Sequence, residues 1–417
     1  MADLNLMPEL VRYEGVDYER NMRFGTGGVL QVILKVAERC NIACTYCYFF
    51  LGGDESYKDN PAYMSADTVK DFAQFVRDAI NDYNLDLVRI IIHGGEPLMM
   101  KKSRMRSLLE QIEQASKGTT LQFTIQTNGM LIDDEWVDLF SEHNVYVGIS
   151  LDGPKEVNDQ YRLDKRSRGT YDRTMLGVEK LFEAYRQKRL ARPGLLCVVN
   201  PKLCKADVLY RHFVEEVGFR NIDFLLPDSN HDNMRPEDAH LYKEYMLELF
   251  ALYRAETRPD VQIRYFDKFI NAMTMHPFFA SVLHRFYTQK DVIFTVSSKG
   301  DIAPDDILRS TNPALMRASL SVCSNNLGDV LMSEEMNRLH DASFTLPTDC
   351  IGCEWANVCR GGDLYHRYRS GSGFDNRSIY CDTLKAIYGC VAELLVDAGT
   401  SLETIEARLA APLSQTV

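Results

Sequence analysis

The sequence lacks any uninterrupted apolar stretch approaching a membrane span, which takes about 20 residues. Its opening segment, Met1 to Leu10, carries Asp3 and Glu9 and no apolar core of the kind a secretory signal needs. A membrane partner is not expected, and cytoplasmic placement is. Positive charge is scarce too: 47 Lys and Arg against 59 Asp and Glu leave a net charge of −12. Binding a nucleic acid nonspecifically requires basic surface to displace its counterions, so that class of partner is excluded. There is no internal repeat and no low-complexity tract; the 417 residues suit two or three globular domains, or one barrel with an appended module.

What is present is cysteine, in an arrangement that does not suit a disulfide framework. Eleven are found, an odd number, with seven in two closely spaced groups, which fits metal binding in a reducing compartment. The first group is Cys40, Cys44 and Cys47, in one short loop directly after the apolar run Val29 to Val36. A 4Fe-4S cluster that only carries electrons takes four thiolates, so three leave one iron open to another ligand. A zinc knuckle is the alternative, but no fourth Cys or His lies close by, and Tyr46 stands between the last two thiols.

From Gly28 onward, apolar runs alternate with amphipathic segments, the pattern of a parallel sheet covered by helices. Strands are expected at Leu30 to Val36, Leu87 to His93, Leu121 to Gln126, Val145 to Leu151, Leu195 to Val199 and Asn221 to Leu226. Helices are expected at Ser65 to Asn84, Lys102 to Ser116, Asp134 to His143, Tyr171 to Arg186 and Lys205 to Val217, with Ser65 and Asp134 as N-caps. Six such units make a partial (β/α)6 TIM-like barrel, in which reactive groups gather at the C-terminal strand ends. Helices Glu237 to Glu256 and Phe266 to Phe286 then bridge to a last region that opens on a hairpin at Val292 to Val296. The expected division is 1–28 extension, 29–228 barrel, 229–290 helical bridge and 291–417 cysteine-rich module.

The spacing Cys-x3-Cys-x2-Cys resembles the signature of the radical S-adenosylmethionine (SAM) enzymes, in which SAM chelates the open iron of a 4Fe-4S cluster. The turn His93-Gly94-Gly95-Glu96-Pro97 ends the second strand, where adjacent glycines let backbone approach a ligand closely. The resemblance makes Gly94, Gly95 and Glu96 contacts of the SAM methionine. The stretch Gly148-Ile149-Ser150-Leu151-Asp152-Gly153-Pro154 resembles the SAM-binding strand of anaerobic sulfatase-maturating enzymes. That likeness assigns SAM contacts to Ser150 and Arg162 and places Tyr46 by the adenine; a buried serine and a surface arginine are the plain alternatives. The implied chemistry is reductive SAM cleavage to a 5'-deoxyadenosyl radical that takes hydrogen from an unactivated carbon, with electrons from a reductant such as flavodoxin or ferredoxin.

Cys350-Ile351-Gly352-Cys353, Cys359 and Cys381 resemble the SPASM extension of peptide-modifying radical SAM enzymes, which usually carries two auxiliary clusters. Asp305 and Asp363 stand where that pattern has thiolates. The resemblance therefore implies one auxiliary 4Fe-4S cluster on Cys350, Cys353, Cys359 and Cys381. A further cluster on Asp305, Asp363 and Cys323, or zinc on the four cysteines, are alternatives. Cys197, Cys204 and Cys390 read as packing residues. Asp306 aligns with the aspartate by which sulfatase-maturating enzymes accept a proton, and the adjacent Asp305 is expected to raise its pKa; the plain alternative is a solvated turn.

Tyr48 to Tyr57 and the turn Pro304-Asp305-Asp306 look like the maturases of ribosomally made peptides that form cyclophane or ether crosslinks, of the Xye and darobactin types. That resemblance implies a precursor peptide as substrate, joined from a side-chain carbon to an aromatic ring. Formylglycine formation on a sulfatase is the enzymatic alternative. A nonenzymatic Fe-S redox or metal-binding protein is the third reading, against which a SAM pocket argues.

Overall fold

The computed structural model describes residues 28–274, 292–317 and 319–410. The polar extension before Gly28 and the stretch Met275 to Phe286 of the second bridge helix lie outside them. Ten strands form one sheet in the order β10-β9-β8-β1-β2-β3-β4-β5-β6-β7. The expected six are β1 (Gly28–Ala37), β2 (Leu85–Gly94), β3 (Thr120–Thr127), β4 (Val145–Ser150), β5 (Gly194–Val198) and β6 (Asn221–Leu225), each parallel to the next. They form because both faces are covered: Leu30, Val32, Leu34 and Val36 on one face of β1, and Lys35 and Ala37 on the other, are wholly buried, as parallel strands under helices require.

The crossover helices show the local logic. Helix Ala66–Tyr83 begins at Ser65, whose hydroxyl accepts from Thr68 N at 3.1 Å, and ends where Asn84 turns left-handed at φ 47°. Its inner face, Phe72, Phe75, Val76 and Ala79, is buried in the main core. Removing a ring such as Phe72 would cost about 3–5 kcal/mol. The next but one helix, Asp134–Glu142, is capped by Asp133 accepting from Trp136 N at 2.9 Å, not by Asp134, which is its first turn. Two adjacent aspartates both suit a cap, and backbone direction decided between them. The expected helix Lys205 to Val217 is α-helical only over Ala206–Tyr210 and continues as a π-turn over Arg211–Val217 before Gly218 at φ 93°.

The sheet also extends past both expected edges. Strand β7 (Gln262–Ile263) pairs parallel with β6. Strand β8 (Val292–Val296) does form a hairpin with β9 (Asp301–Ala303), to which β10 (Leu320–Ser321) adds. Yet β8 also pairs parallel with β1, Leu30 opposite Val292 through Leu34 opposite Val296. The hairpin is thus continuous with the barrel sheet rather than the start of a detached module. Helix Pro236–Arg254 bridges the two halves, with Tyr242 edge-on to Tyr380 at 5.5 Å. No helix among the described residues is long and apolar enough to cross a membrane.

Candidate active site

The C-terminal ends of β1, β2, β3 and β4 meet at one rim. Beyond β1, the cysteine loop is tied to the segment after β4 by Ala43 N to Leu163 O (2.7 Å) and Thr45 N to Tyr161 O (3.0 Å). Beyond β2, Gly95 N donates to Ala37 O and Glu96 N to Arg39 O, both at 2.8 Å. This packing needs glycine: Gly94 sits at φ 145°, and a Cβ on Gly95 would lie 2.5 Å from Arg39 O. The Glu96 carboxylate is buried and accepts from Leu98 N (3.0 Å), Thr127 Oγ1 (2.7 Å) and Asn128 N (2.9 Å). It braces β2 against β3, which leaves the turn's backbone as its face toward a ligand.

The three thiols are close enough to oppose one another's ionisation. Burial pushes Cys40 up to about 12, with further repulsion from Glu96, Cys44 and Cys47, and burial raises Cys44 and Cys47 as well. Three thiolates so placed call for a cationic centre between them. Among the described residues, no three His, Cys, Asp or Glu side chains are close enough to share one metal ion. A four-iron core spreads its thiolates wider than a single zinc does, so this donor set fits the cluster.

Beside the loop, Tyr46 is 38% exposed along its ring, but its hydroxyl is held inward. It bonds the Asp152 carboxylate and receives Arg162 Nη1 at 2.9 Å, while Arg162 and Asp152 lie 3.6 Å apart. Ser150 Oγ accepts from Gln126 Nε2 at 2.7 Å, joining β4 to β3. Tyr46, Ser150 and Arg162 therefore line one side of the rim. Asp152, which sequence reasoning passed over, organises it: its second oxygen accepts from Val198 N at 3.1 Å. The signal was an acidic residue directly past the end of a buried strand.

Across the rim, Asp305 and Asp306 follow β9. The turn is not the solvated one that stood as the plain alternative. Asp306 is 2% exposed and accepts from Lys35 Nζ, from Tyr48 OH at 2.5 Å and from Arg309 Nε at 2.7 Å. Lys35, wholly buried, also reaches His93 Nδ1 at 3.1 Å and lies 4.8 Å over the Phe49 ring. Arg309 continues to Asp54. Burial and then Asp306 push Asp305 up to about 6, and burial and then Asp305, Asp306 and Asp363 push Asp228 up to about 7. Lys35 was also missed, although a charge within a buried strand is itself a signal.

Farther out, Cys350, Cys353, Cys359 and Cys381 form the second group. Burial pushes Cys359 up to about 12, with added repulsion from Cys381 and Cys350, and Cys350 is raised by burial, Cys381 and Cys353. Their mutual coupling shows that the structure brings the four together. Cys323 does not join Asp305 and Asp363; it is exposed, and its acidic neighbours are Asp71 and Asp301. Cys197 and Cys204 are buried in the core, and Cys390 packs against it.

The Radical SAM superfamily is matched over residues 34–198, the segment that holds the cysteine loop, the glycine turn and the Tyr46-Asp152-Arg162 cluster. Residues 34–198 are a radical SAM domain. Over 373 residues it is 24% identical to a cysteine-type anaerobic sulfatase-maturating enzyme of Clostridium novyi (strain NT), covering 86% of this chain and 94% of that one. Over 196 residues it is 33% identical to a serine-type anaerobic sulfatase-maturating enzyme of Bacteroides thetaiotaomicron, 47% of this chain and 45% of that one. The structure of native anSMEcpe with bound AdoMet and Cp18Cys peptide shares the fold, with a TM-score of 0.71 at 21% identity over 89% of this chain and 98% of that one. A radical SAM domain implies a 4Fe-4S cluster with SAM as cofactors.

Proposed function

We propose that this radical SAM enzyme is a peptide maturase, taking hydrogen from a side-chain carbon of a ribosomally made precursor and joining that carbon to an aromatic ring. Cys40, Cys44 and Cys47 hold the SAM-binding cluster. The Gly94-Gly95 backbone, with Glu96 bracing it, faces the methionine end of SAM, and Ser150, Arg162 and Tyr46 face the remainder. When bound, that pair supplies the 5'-deoxyadenosyl radical that abstracts hydrogen. Cys350, Cys353, Cys359 and Cys381 hold the auxiliary cluster, through which an electron can leave; flavodoxin or ferredoxin is the class of reductant.

The observation that carries the reading is the carboxylate pair beyond β9, Asp306 buried and Asp305 half-buried beside it. Crosslinking requires loss of a proton as well as a hydrogen atom, and a base is most effective with a pKa near the working pH. Asp306 is engaged by Lys35, Tyr48 and Arg309 and serves to position the pair. Asp305, pushed up to about 6, is the better proton acceptor of the two. Lys35 opposes its rise.

The second reading is formylglycine formation on a sulfatase, favoured by the likeness over 94% of the length of a sulfatase-maturating enzyme. Coexpression with each candidate substrate, followed by mass spectrometry, separates them. A short peptide encoded beside this gene should lose the mass of two hydrogens per crosslink. Conversion of a sulfatase Cys or Ser to formylglycine, with that peptide unchanged, would establish the second reading instead.

A further inference from the structure

The segment Tyr161 to Arg173 lies against the outside of the cysteine loop. Ala43 N and Thr45 N donate to Leu163 O and Tyr161 O at 2.7 and 3.0 Å, and Ile42 forms an antiparallel bridge with Asp164. Ala43, Thr45 and Tyr46 are exposed, so both chain neighbours of the Cys44 thiol reach solvent. Although the whole chain has a net charge of −12, this segment has five Lys or Arg against two Asp.

The basic loop is held in one shape. Asp164 is buried and accepts from Arg166 N (2.8 Å), Arg168 N (3.0 Å), Arg168 Nη2 (2.8 Å) and Arg173 Nη2 (2.9 Å), while Leu163 bridges Gly169 across the turn. Lys165, Arg166 and Arg168 are exposed, and among the described residues no acceptor holds the side chain of Lys165 or Arg166. Like charges gathered on a fixed loop set up a positive field that draws in an acidic surface. Another basic run, Arg186 to Arg192, is built differently. Its Arg186, Arg189 and Arg192 are paired with Glu183, Asp138 and Asp260, and it precedes β5, at the end of the barrel away from the cysteine loop.

Position selects the kind of partner. The carboxylates proposed to serve the substrate follow β9, across the rim, whereas this loop adjoins the thiols themselves. A cluster that cleaves SAM takes its electron from outside the chain, and a carrier protein has to bring its own redox centre close to the thiolates. We infer that Lys165 and Arg166, with Arg168 beside them, form the docking surface for an acidic electron-carrier protein, which reduces the cluster on Cys40, Cys44 and Cys47. One electron leaves the carrier's reduced flavin or iron-sulfur centre and enters the cluster; the carrier is oxidised and the cluster reduced by one unit, with no bond made or broken. This rests on the SAM-cluster assignment above and is independent of the crosslinking reaction.

The test measures anaerobic binding of an acidic flavodoxin and an acidic ferredoxin to the full chain, reconstituted with iron and sulfide. At least one should bind, and Lys165→Glu with Arg166→Glu should weaken that binding about tenfold at low salt, with the gap closing as salt is raised. With SAM, 5'-deoxyadenosine formation driven by the bound carrier should fall in parallel, while formation driven by dithionite, which needs no docking surface, stays within about twofold. Lys188→Glu, in the run at the other end of the barrel, should leave carrier binding unchanged. Binding of neither carrier, equal affinity in the double variant, or an equal fall in Lys188→Glu overturns the surface. So does a loss of precursor-peptide binding in the double variant with carrier affinity unchanged, which would give the loop to an acidic peptide instead. Absence of dithionite-driven cleavage in the wild type overturns the cluster assignment beneath it.

Discussion

The two cysteine groups differ in the number of their thiols and in their surroundings. Around Cys40, Cys44 and Cys47 stand backbone amides, Arg162 and Asp152, all able to hold a polar ligand. Beside Cys359 the shell is aromatic, with Trp355 stacked on Tyr388 at 5.7 Å and Tyr388 against Phe269 at 4.8 Å, while Arg367 stands by Cys350 and Arg377 and Lys385 by Cys381. Three thiols beside polar groups suit chemistry at an open iron, and four suit electron transfer. The number of ligands carries that division of labour.

The strongest way to break this contrast is to remove a thiol from the first group. Cys47→Ala should abolish 5'-deoxyadenosine formation from SAM, measured by chromatography under dithionite; retained cleavage would undo the assignment of the open iron. Next is the carboxylate pair: Asp305→Asn should lower crosslinked product by about 10²–10³-fold. In the wild type, product formation should rise with pH through about 6, as Asp305 loses its proton, and the variant should lack that limb. Lys35→Met leaves the buried Asp306 with one cation fewer and should cost about 3 kcal/mol of stability, read from denaturant melts.

Smaller effects sharpen the comparison. Arg162→Lys should weaken SAM binding about tenfold by equilibrium dialysis, the weight of one charged hydrogen bond. Smallest on SAM cleavage is Cys359→Ser, which should alter that rate by no more than about twofold while iron content falls by about half, since the altered group only carries electrons. Equal loss of cleavage in Cys359→Ser and Cys47→Ala would erase the distinction between the two groups.

How much of this was legible in the sequence depends on whether the cause was local. The six barrel strands could be read because each is a continuous apolar run, and Ser65 because a cap is set by its next three residues. The π-turn at Arg211–Val217 could not be read, since packing rather than the apolar period sets it. Nor could the pairing of β8 with β1, which joins residues at opposite ends of the chain. The same holds in the site. Tyr46 and Arg162 came from short motifs and lie together, whereas Lys35 finds its partner only in Asp306, brought across the rim by that pairing. Asp306, expected from the resemblance as a proton acceptor, meets Lys35, Tyr48 and Arg309, partners that no local motif announces.

The parallel pairing of Val292–Val296 with β1 has a consequence during synthesis. Until that strand leaves the ribosome, β1 is paired only with β2, and its other edge from Leu30 to Leu34 remains open. A nascent chain paused before Val292 should therefore be aggregation-prone and dependent on chaperones. The iron-binding loop that β1 leads into becomes fully walled only when translation is mostly complete, so cluster insertion belongs to the finished chain.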